Sequence, residues 1–402
     1  VLLTEDGKVS LDDDIRKYVP ELPDYGGTIT LRQLANHTSG LRDYPGLLAL
    51  SGWNWVDAVS EERILSLIAR QKRLNFPIGS EYLYSNTGYF LMMLVVQRVS
   101  GQSLGDFADA RIFKPLGMLH TRFYDDRTMI MPNRAVGHLR RDDGSIGIWR
   151  PTYEIVGDGA VLTTVQDVAR WEQQFLAPKL GRDPVRVMAD MTRHGVLVDG
   201  KQIDYALGIS HGTYRGLPTL SHSGGIPGYA TNFLRFPAQK LAVTALCNQG
   251  GIPAARITQA VADVMLEGKF SDGKAHAVPL STGRNDDDDD TPAKPLKFAP
   301  AGPLSDYTGV YYSQELDANW RAEASDGVLT ATVGYLPGKS LKAADGDTFS
   351  TGGNYATSLA FKRDGSRGVS GFVLDVGRVR AGEFVGVETT ARWAGGCSAV
   401  GW

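Results

Sequence analysis

From Val1 to about residue 265 the chain alternates helical spacing with short apolar strands. Between Thr87 and Val99, Phe90, Leu91, Leu94, Val95 and Val99 recur at helical intervals, which predicts a helix with one buried face, and Gly101 predicts its stop. Thr231 to Phe236 and the apolar run Leu241 to Cys247 read as strands. From Gly268 to Pro303 this pattern gives way to Gly, Pro, Ser and charge. The aspartates from Asp286 to Asp290 repel one another there, which predicts a solvated linker rather than a cation site. From Leu304 to Glu388 short β-rich segments follow, among them Asp306 to Tyr312, Gly327 to Val333 and Gly371 to Asp375. Asp326-Gly327, Asp345-Gly346 and Asp364-Gly365 fall where tight turns belong, so a small antiparallel barrel or sandwich is expected. The predicted division is residues 1–267, a linker over 268–303, a β domain over 304–388 and an irregular tail over 389–402.

Composition narrows the functional classes. With 402 residues, 42% hydrophobic and 22% charged, the chain is long enough for more than one packed core. The longest apolar run, Tyr89 to Val96, is far short of the roughly 20 residues that cross a bilayer, so no membrane span is expected. Net charge is -3 with both signs interspersed, which leaves no basic face for nucleic acid. A small molecule or peptide is the expected substrate. The two cysteines, Cys247 in an apolar run and Cys397 near the end, exclude a disulfide framework. Seven scattered histidines without a ligand spacing predict no metal site, and no cofactor is expected.

Two short stretches carry candidate chemistry. Tyr84-Ser85-Asn86 lies just before the predicted helix, where unpaired N–H groups favour negative charge. Ser85 or Asn86 would cap that helix, and Tyr84 is either a phenolate-like base or a packing residue. His222-Ser223-Gly224-Gly225 joins a strand to a Gly-rich turn. Glycine there lets a backbone N–H approach a substrate, so Gly225 is the candidate oxyanion donor; a plain hairpin with an incidental histidine is the alternative. Gly101-Gln-Ser103-Leu-Gly105 matches a nucleophile-elbow pattern, yet it follows a helical segment instead of a strand. Ser103, with Asp106 three residues on, reads better as a helix cap, as do Thr163-Thr164 before Asp167.

Taken together, the chain resembles the serine β-lactamase and D-Ala-D-Ala carboxypeptidase superfamily, in the branch of class C β-lactamases, D-aminopeptidases and related esterases. The two motifs are joined in this by Glu5 to Asp13, Leu31-Arg-Gln-Leu-Ala-Asn-His-Thr-Ser-Gly-Leu41, Ile112 to Met118 and Gly157 to Thr164, in the family's order. The resemblance implies an α+β fold, an antiparallel sheet flanked by helices plus a helical lobe, followed by a lipocalin-like antiparallel β-barrel. It implies acyl-enzyme chemistry on amides or esters, with D-amino-acid peptides among the candidate substrates. Tyr84 would be the general base, Asn86 a partner of the substrate amide and of a lysine, and His222 the third-box residue. Ser85, Ser223, Gly224 and Gly225 would line the substrate and oxyanion side. Histidine in place of the lysine of β-lactamases implies weaker anchoring of a substrate carboxylate. Periplasmic or secreted residence is implied as well, and homo-oligomerisation is left open.

One part of the family pattern has no counterpart. The nucleophile and its lysine come from a Ser-x-x-Lys at the start of a helix, and the literal match Ser271-Asp-Gly-Lys274 falls in the expected linker. Val1 to Gly7 resembles the end of the helix that begins with that motif, so the expectation is that it lies upstream of Val1 and that the folded protein contains it. Two other readings remain: a non-catalytic module that binds peptides in the same cleft, and an α/β-hydrolase using Ser103.

Overall fold

The computed structural model describes residues 1–141, 143–149, 155–271, 300–351, 357–365 and 368–387. The chain divides into two compact units, Val1–Pro45 with Asn54–Asp290 and Gly46–Trp53 with Thr291–Trp402. Asp286 to Asp290, Cys397 and the tail from 389 lie outside the described residues.

The first unit is α+β, as expected. Its helices include α1 (Leu31–Ala35), α2 (Glu61–Ala69), α3 (Asn86–Ser100), α4 (Val165–Leu176), α5 (Pro184–Thr192) and α6 (Ala254–Met265). Four strands, β1 (Ser210–Tyr214), β2 (Leu217–Ile226), β3 (Tyr229–Phe236) and β4 (Leu241–Cys247), form an antiparallel meander in that order. Arg215 and Gly216, both at positive φ, make the tight turn between β1 and β2. Pro227 followed by Gly228 at φ +87° makes the next one.

Alternation along β3 sends its side chains to two different layers. On one face Leu234 and Phe236 join Ala262 of α6 and Leu266 just past its end in a buried cluster, and Thr258 of α6 donates to Asn232 Oδ1 at 2.7 Å. On the other, Phe233 meets the Phe175 ring of α4, and Arg235 Nε donates to Glu172 Oε1 at 2.9 Å. His222 sits opposite Phe233 in the β2–β3 register and therefore shares the α4 face. The predicted helix over 87–99 is α3, one residue longer at each end, and Gly101 stops it in the left-handed conformation. Ser103 accepts from Asp106 N at 3.0 Å and Thr164 from Asp167 N at 3.2 Å, so both hydroxyls cap helices.

The second unit resolves the choice between barrel and sandwich. Strands β5 (Gly309–Ser313), β6 (Ala318–Ser325), β7 (Val328–Val333), β8 (Lys339–Asp345), β9 (Thr348–Ser350), β10 (Thr357–Arg363), β11 (Val369–Val376) and β12 (Val379–Val387) pair in sequence, and β12 closes on β5. Asp326 and Gly327 form the β6–β7 turn with φ of 50° and 77°. Inward positions carry Tyr311, Trp320, Phe361, Phe372 and Phe384, all buried, with Phe372 stacked on Phe384 at 4.5 Å. Closure leaves no free strand edge, and aromatic rings fill the interior. The short segment Gly46–Trp53 belongs to this unit, where Leu50 O accepts from Trp320 Nε1 at 2.9 Å. Sequence pattern gave no sign of that excursion.

The Arg235–Glu172 pair ties the sheet to α4 with side chains only 5% and 11% exposed. Burial pushes the Glu172 carboxyl up, against the opposing pull of Arg235. Removing one member strands a charge in the interior. Glu172→Ala should therefore lower stability by about 3–5 kcal/mol in urea unfolding, and a loss below about 1 kcal/mol would show that the pair is relaxed by water.

Candidate active site

Tyr84 enters the site from the residue before the N-cap of α3. Ser85 occupies the N-cap position, but its hydroxyl makes no capping bond; Ser85 is buried and its Oγ has no hydrogen-bond partner among the described residues. The expected cap position is therefore occupied by Ser85, but neither Ser85 nor Asn86 supplies a side-chain capping bond. The cap comes from Asp43, whose Oδ1 accepts from Asn86 N at 2.7 Å and Asn86 Nδ2 at 3.0 Å. A carboxylate is a stronger acceptor than a hydroxyl and its charge suits a helix N-terminus. Thr87 completes the tie, accepting from Tyr44 N at 2.8 Å and donating to Arg42 O at 2.6 Å. An ionised carboxylate only accepts, so the Asn86 amide turns its nitrogen to Asp43 and its oxygen away.

The second motif arrives on β2. Pairing with β1 ends at Ser221, so among the described strands residues 222–226 are paired only with β3, on one side. Gly225 pairs with Ala230 and is exposed, which leaves this edge available to a substrate. Gly224 has a steric reason: a Cβ there would stand 2.6 Å from Thr231 Oγ1.

The two motifs meet. The rings of Tyr84 and His222 lie 6.1 Å apart, and the buried Tyr205 sits against both, at 6.3 Å and 5.9 Å. A turn brings Tyr205 there, with Ala206 N bonded to Ile209 O at 2.8 Å and Gly208 at φ +78°. His222 Nδ1 is 2.6 Å from Ser223 O, and Nε2 is 2.9 Å from the Tyr205 hydroxyl. A carbonyl only accepts, so Nδ1 donates, and in the neutral tautomer this requires, Nε2 accepts from the Tyr205 hydroxyl. Burial, with Tyr89, Tyr84 and Tyr82 nearby, pushes the Tyr205 phenol far up, so its hydroxyl stays protonated. Tyr89, also pushed up by burial, donates to Ala35 O at 3.1 Å. Tyr84 and His222 thus come from two distant segments to within ring contact, with Asn86 and Gly225 two and three residues along those same segments. Tyr205, Asp43 and His37 escaped the sequence reading of the site, although His37 lay within the quoted stretch Leu31 to Leu41.

The β-lactamase family profile matches residues 1–265. The chain belongs to the β-lactamase family. Among curated relatives, a penicillin-binding protein of Bacillus subtilis is 30% identical over 273 residues, covering 62% of this chain and 57% of its own. A D-aminopeptidase of Cereibacter sphaeroides is 30% identical over 230 residues, covering 56% and 44%. The chain thus spans about half the length of these relatives. Among solved structures, an octameric penicillin-binding protein homologue from Pyrococcus abyssi superposes with a TM-score of 0.58 at 20% identity. That superposition covers 95% of this chain and 84% of the other, and it shows a shared β-lactamase-like fold. Among the described residues no group of three His, Cys, Asp or Glu could hold a metal, and no helix is long and apolar enough to cross a membrane.

Asp158 lies close by and gives the site a pH signature. Its Oδ2 accepts from the Tyr44 hydroxyl at 2.7 Å, while Oδ1 is shut from solvent without a hydrogen-bond partner among the described residues. Burial first, and then the neighbouring Asp43, hold the carboxyl well above its ordinary range. The folded protein therefore binds this proton more tightly than the unfolded chain. At this position stability is intact below the unfolded pKa of about 4 and falls as pH rises from there toward the folded value. Asp158→Asn should remove that fall, so its Tm should exceed the wild type's increasingly from pH 4 to pH 7. Parallel Tm curves would contradict the assignment.

Proposed function

We propose that this chain supplies the base, the substrate edge and the oxyanion donor of an acyl-enzyme serine hydrolase that cleaves amide bonds, with D-amino-acid peptides as the leading substrate class and small esters within the same chemistry. The observation that supports this most is the convergence of Tyr84 and His222, 6.1 Å apart at the helix start and the open edge of β2. The relationship to a D-aminopeptidase favours an amide substrate.

In this reading Tyr84 acts in its phenolate form, taking the proton of the attacking hydroxyl and returning it to the leaving amine. Asn86 directs its amide oxygen toward a cation or the substrate N–H, because its nitrogen is committed to Asp43. Gly225 N–H, on the unpaired side of β2, faces the oxygen that becomes negative in the tetrahedral intermediate. His222 in its neutral form presents no N–H to a substrate carboxylate, since Nδ1 serves Ser223 and Nε2 accepts from Tyr205. Amides and esters without a carboxylate at that end fit such a box better than a β-lactam does. No serine of the chain is assigned the attack; Ser103 serves as a helix cap.

Hydrolysis of D-amino-acid anilides by the intact gene product tests this reading. Tyr84→Phe should lower kcat by about 10²–10⁴-fold with little change in KM. Saturable binding of the same compounds without turnover would overturn the reading in favour of a peptide-binding module.

A further inference from the structure

The helix α1 ends at Asn36 with two bonds that define a particular stop. His37 N donates to Leu34 O at 3.2 Å and Thr38 N to Gln33 O at 2.9 Å, while His37 itself is left-handed at φ +59°. In this arrangement the left-handed position is ordinarily glycine, because a Cβ there is strained. A buried histidine in its place, 1% exposed, accepts strain that the helix stop alone does not require. What the side chain touches gives the reason.

His37 Nδ1 accepts from Ser85 N at 3.2 Å, so this nitrogen carries no proton and the imidazole is neutral with its hydrogen on Nε2. Protonation at Nδ1 would turn an acceptor toward Ser85 into a second donor. The imidazole and Tyr84 ring centroids lie 4.1 Å apart with the planes at 37°, and the centroids of Tyr205, Tyr89 and Tyr82 lie at 4.7 Å, 5.3 Å and 6.1 Å. Its carbonyl accepts from Leu83 N at 3.0 Å. One residue thereby holds the backbone on both sides of Tyr84 and the ring itself.

We propose that His37 is the positioning residue of Tyr84: from a strained backbone it fixes the rotamer of the base through ring contact and the turn that carries it through the Ser85 amide. This rests on Tyr84 acting as the base. His37 makes no contact with the reacting atoms in this account.

Two substitutions separate its parts. His37→Gly keeps the left-handed backbone and removes both the acceptor and the ring. His37→Asn tolerates the same backbone and restores an acceptor close to the place of Nδ1, without the ring. Because glycine suits this helix stop, the Gly variant should unfold cooperatively like the wild type. Its kcat for a D-amino-acid anilide should fall about 10- to 100-fold, with KM within about threefold, and hydrogen exchange at the Ser85 amide should accelerate. The Asn variant should recover Ser85 protection but only part of kcat. In both variants the Tyr84 ring, followed by NMR, should flip faster than in the wild type. Wild-type kcat, Ser85 protection and ring flipping in the Gly variant would overturn the proposal. If the wild type itself showed no turnover, the base role would fall, while exchange and ring flipping would still decide whether His37 holds Tyr84.

Discussion

The first turn of a helix leaves N–H groups that the helix cannot satisfy, and at α3 a loop more than forty residues earlier meets that need. Asp43 takes two donors of Asn86, Thr87 closes onto Arg42 and Tyr44, and His37 receives Ser85 N. These bonds fix the height and rotation of α3 at the one point where Tyr84 leaves it. Without them the helix would still bury Phe90, Leu91 and Leu94, yet the direction of the residue before its cap would be unspecified. The candidate chemistry depends on that local constraint more than on any pairwise contact between catalytic groups.

The opposite wall is built by a different kind of constraint. β2 is longer than its partner β1, and residues 222–226, paired only with β3 among the described strands, keep backbone groups on the other side for another molecule. An exposed strand edge is ordinarily a hazard in a folded protein, and here it is short and glycine-bearing. Tyr205 links this wall to the first through the imidazole of His222 and the rings beside Tyr84. The residues between the walls are mostly neutral and aromatic. Charge is held behind them, in the capping Asp43 and in an Asp158 whose environment favours its protonated form.

Much of the fold was legible because it follows from periodicity. The apolar spacing from Phe90 to Val99 marked α3 to within one residue, Gly101 marked its end, and Asp326-Gly327 marked a barrel turn. Barrel closure was less legible, since pairing the first strand with the last leaves no trace in local pattern. The assignment of Gly46–Trp53 to the second unit was invisible for the same reason. Within the site, Tyr84, Asn86 and His222 stood out through their neighbours in sequence. Asp43 did not, because a carboxylate that caps a helix from 43 residues away obeys no local capping rule. His37 carried a signal in retrospect: a histidine just past the end of a short helix, where glycine is the ordinary stop. Tyr205 had none, as its position depends on a turn that only the assembled sheet defines.

The central claim is that the helix start and the open strand edge form one acyl-transfer site. The most direct measurement is a crystal structure of the intact gene product after reaction with a fluorophosphonate. The account predicts a covalent adduct whose oxygen lies within about 3 Å of Gly225 N and whose leaving side faces the Tyr84 hydroxyl at hydrogen-bond distance. A protein that forms no adduct, or one modified away from Tyr84 and the edge of β2, would contradict it.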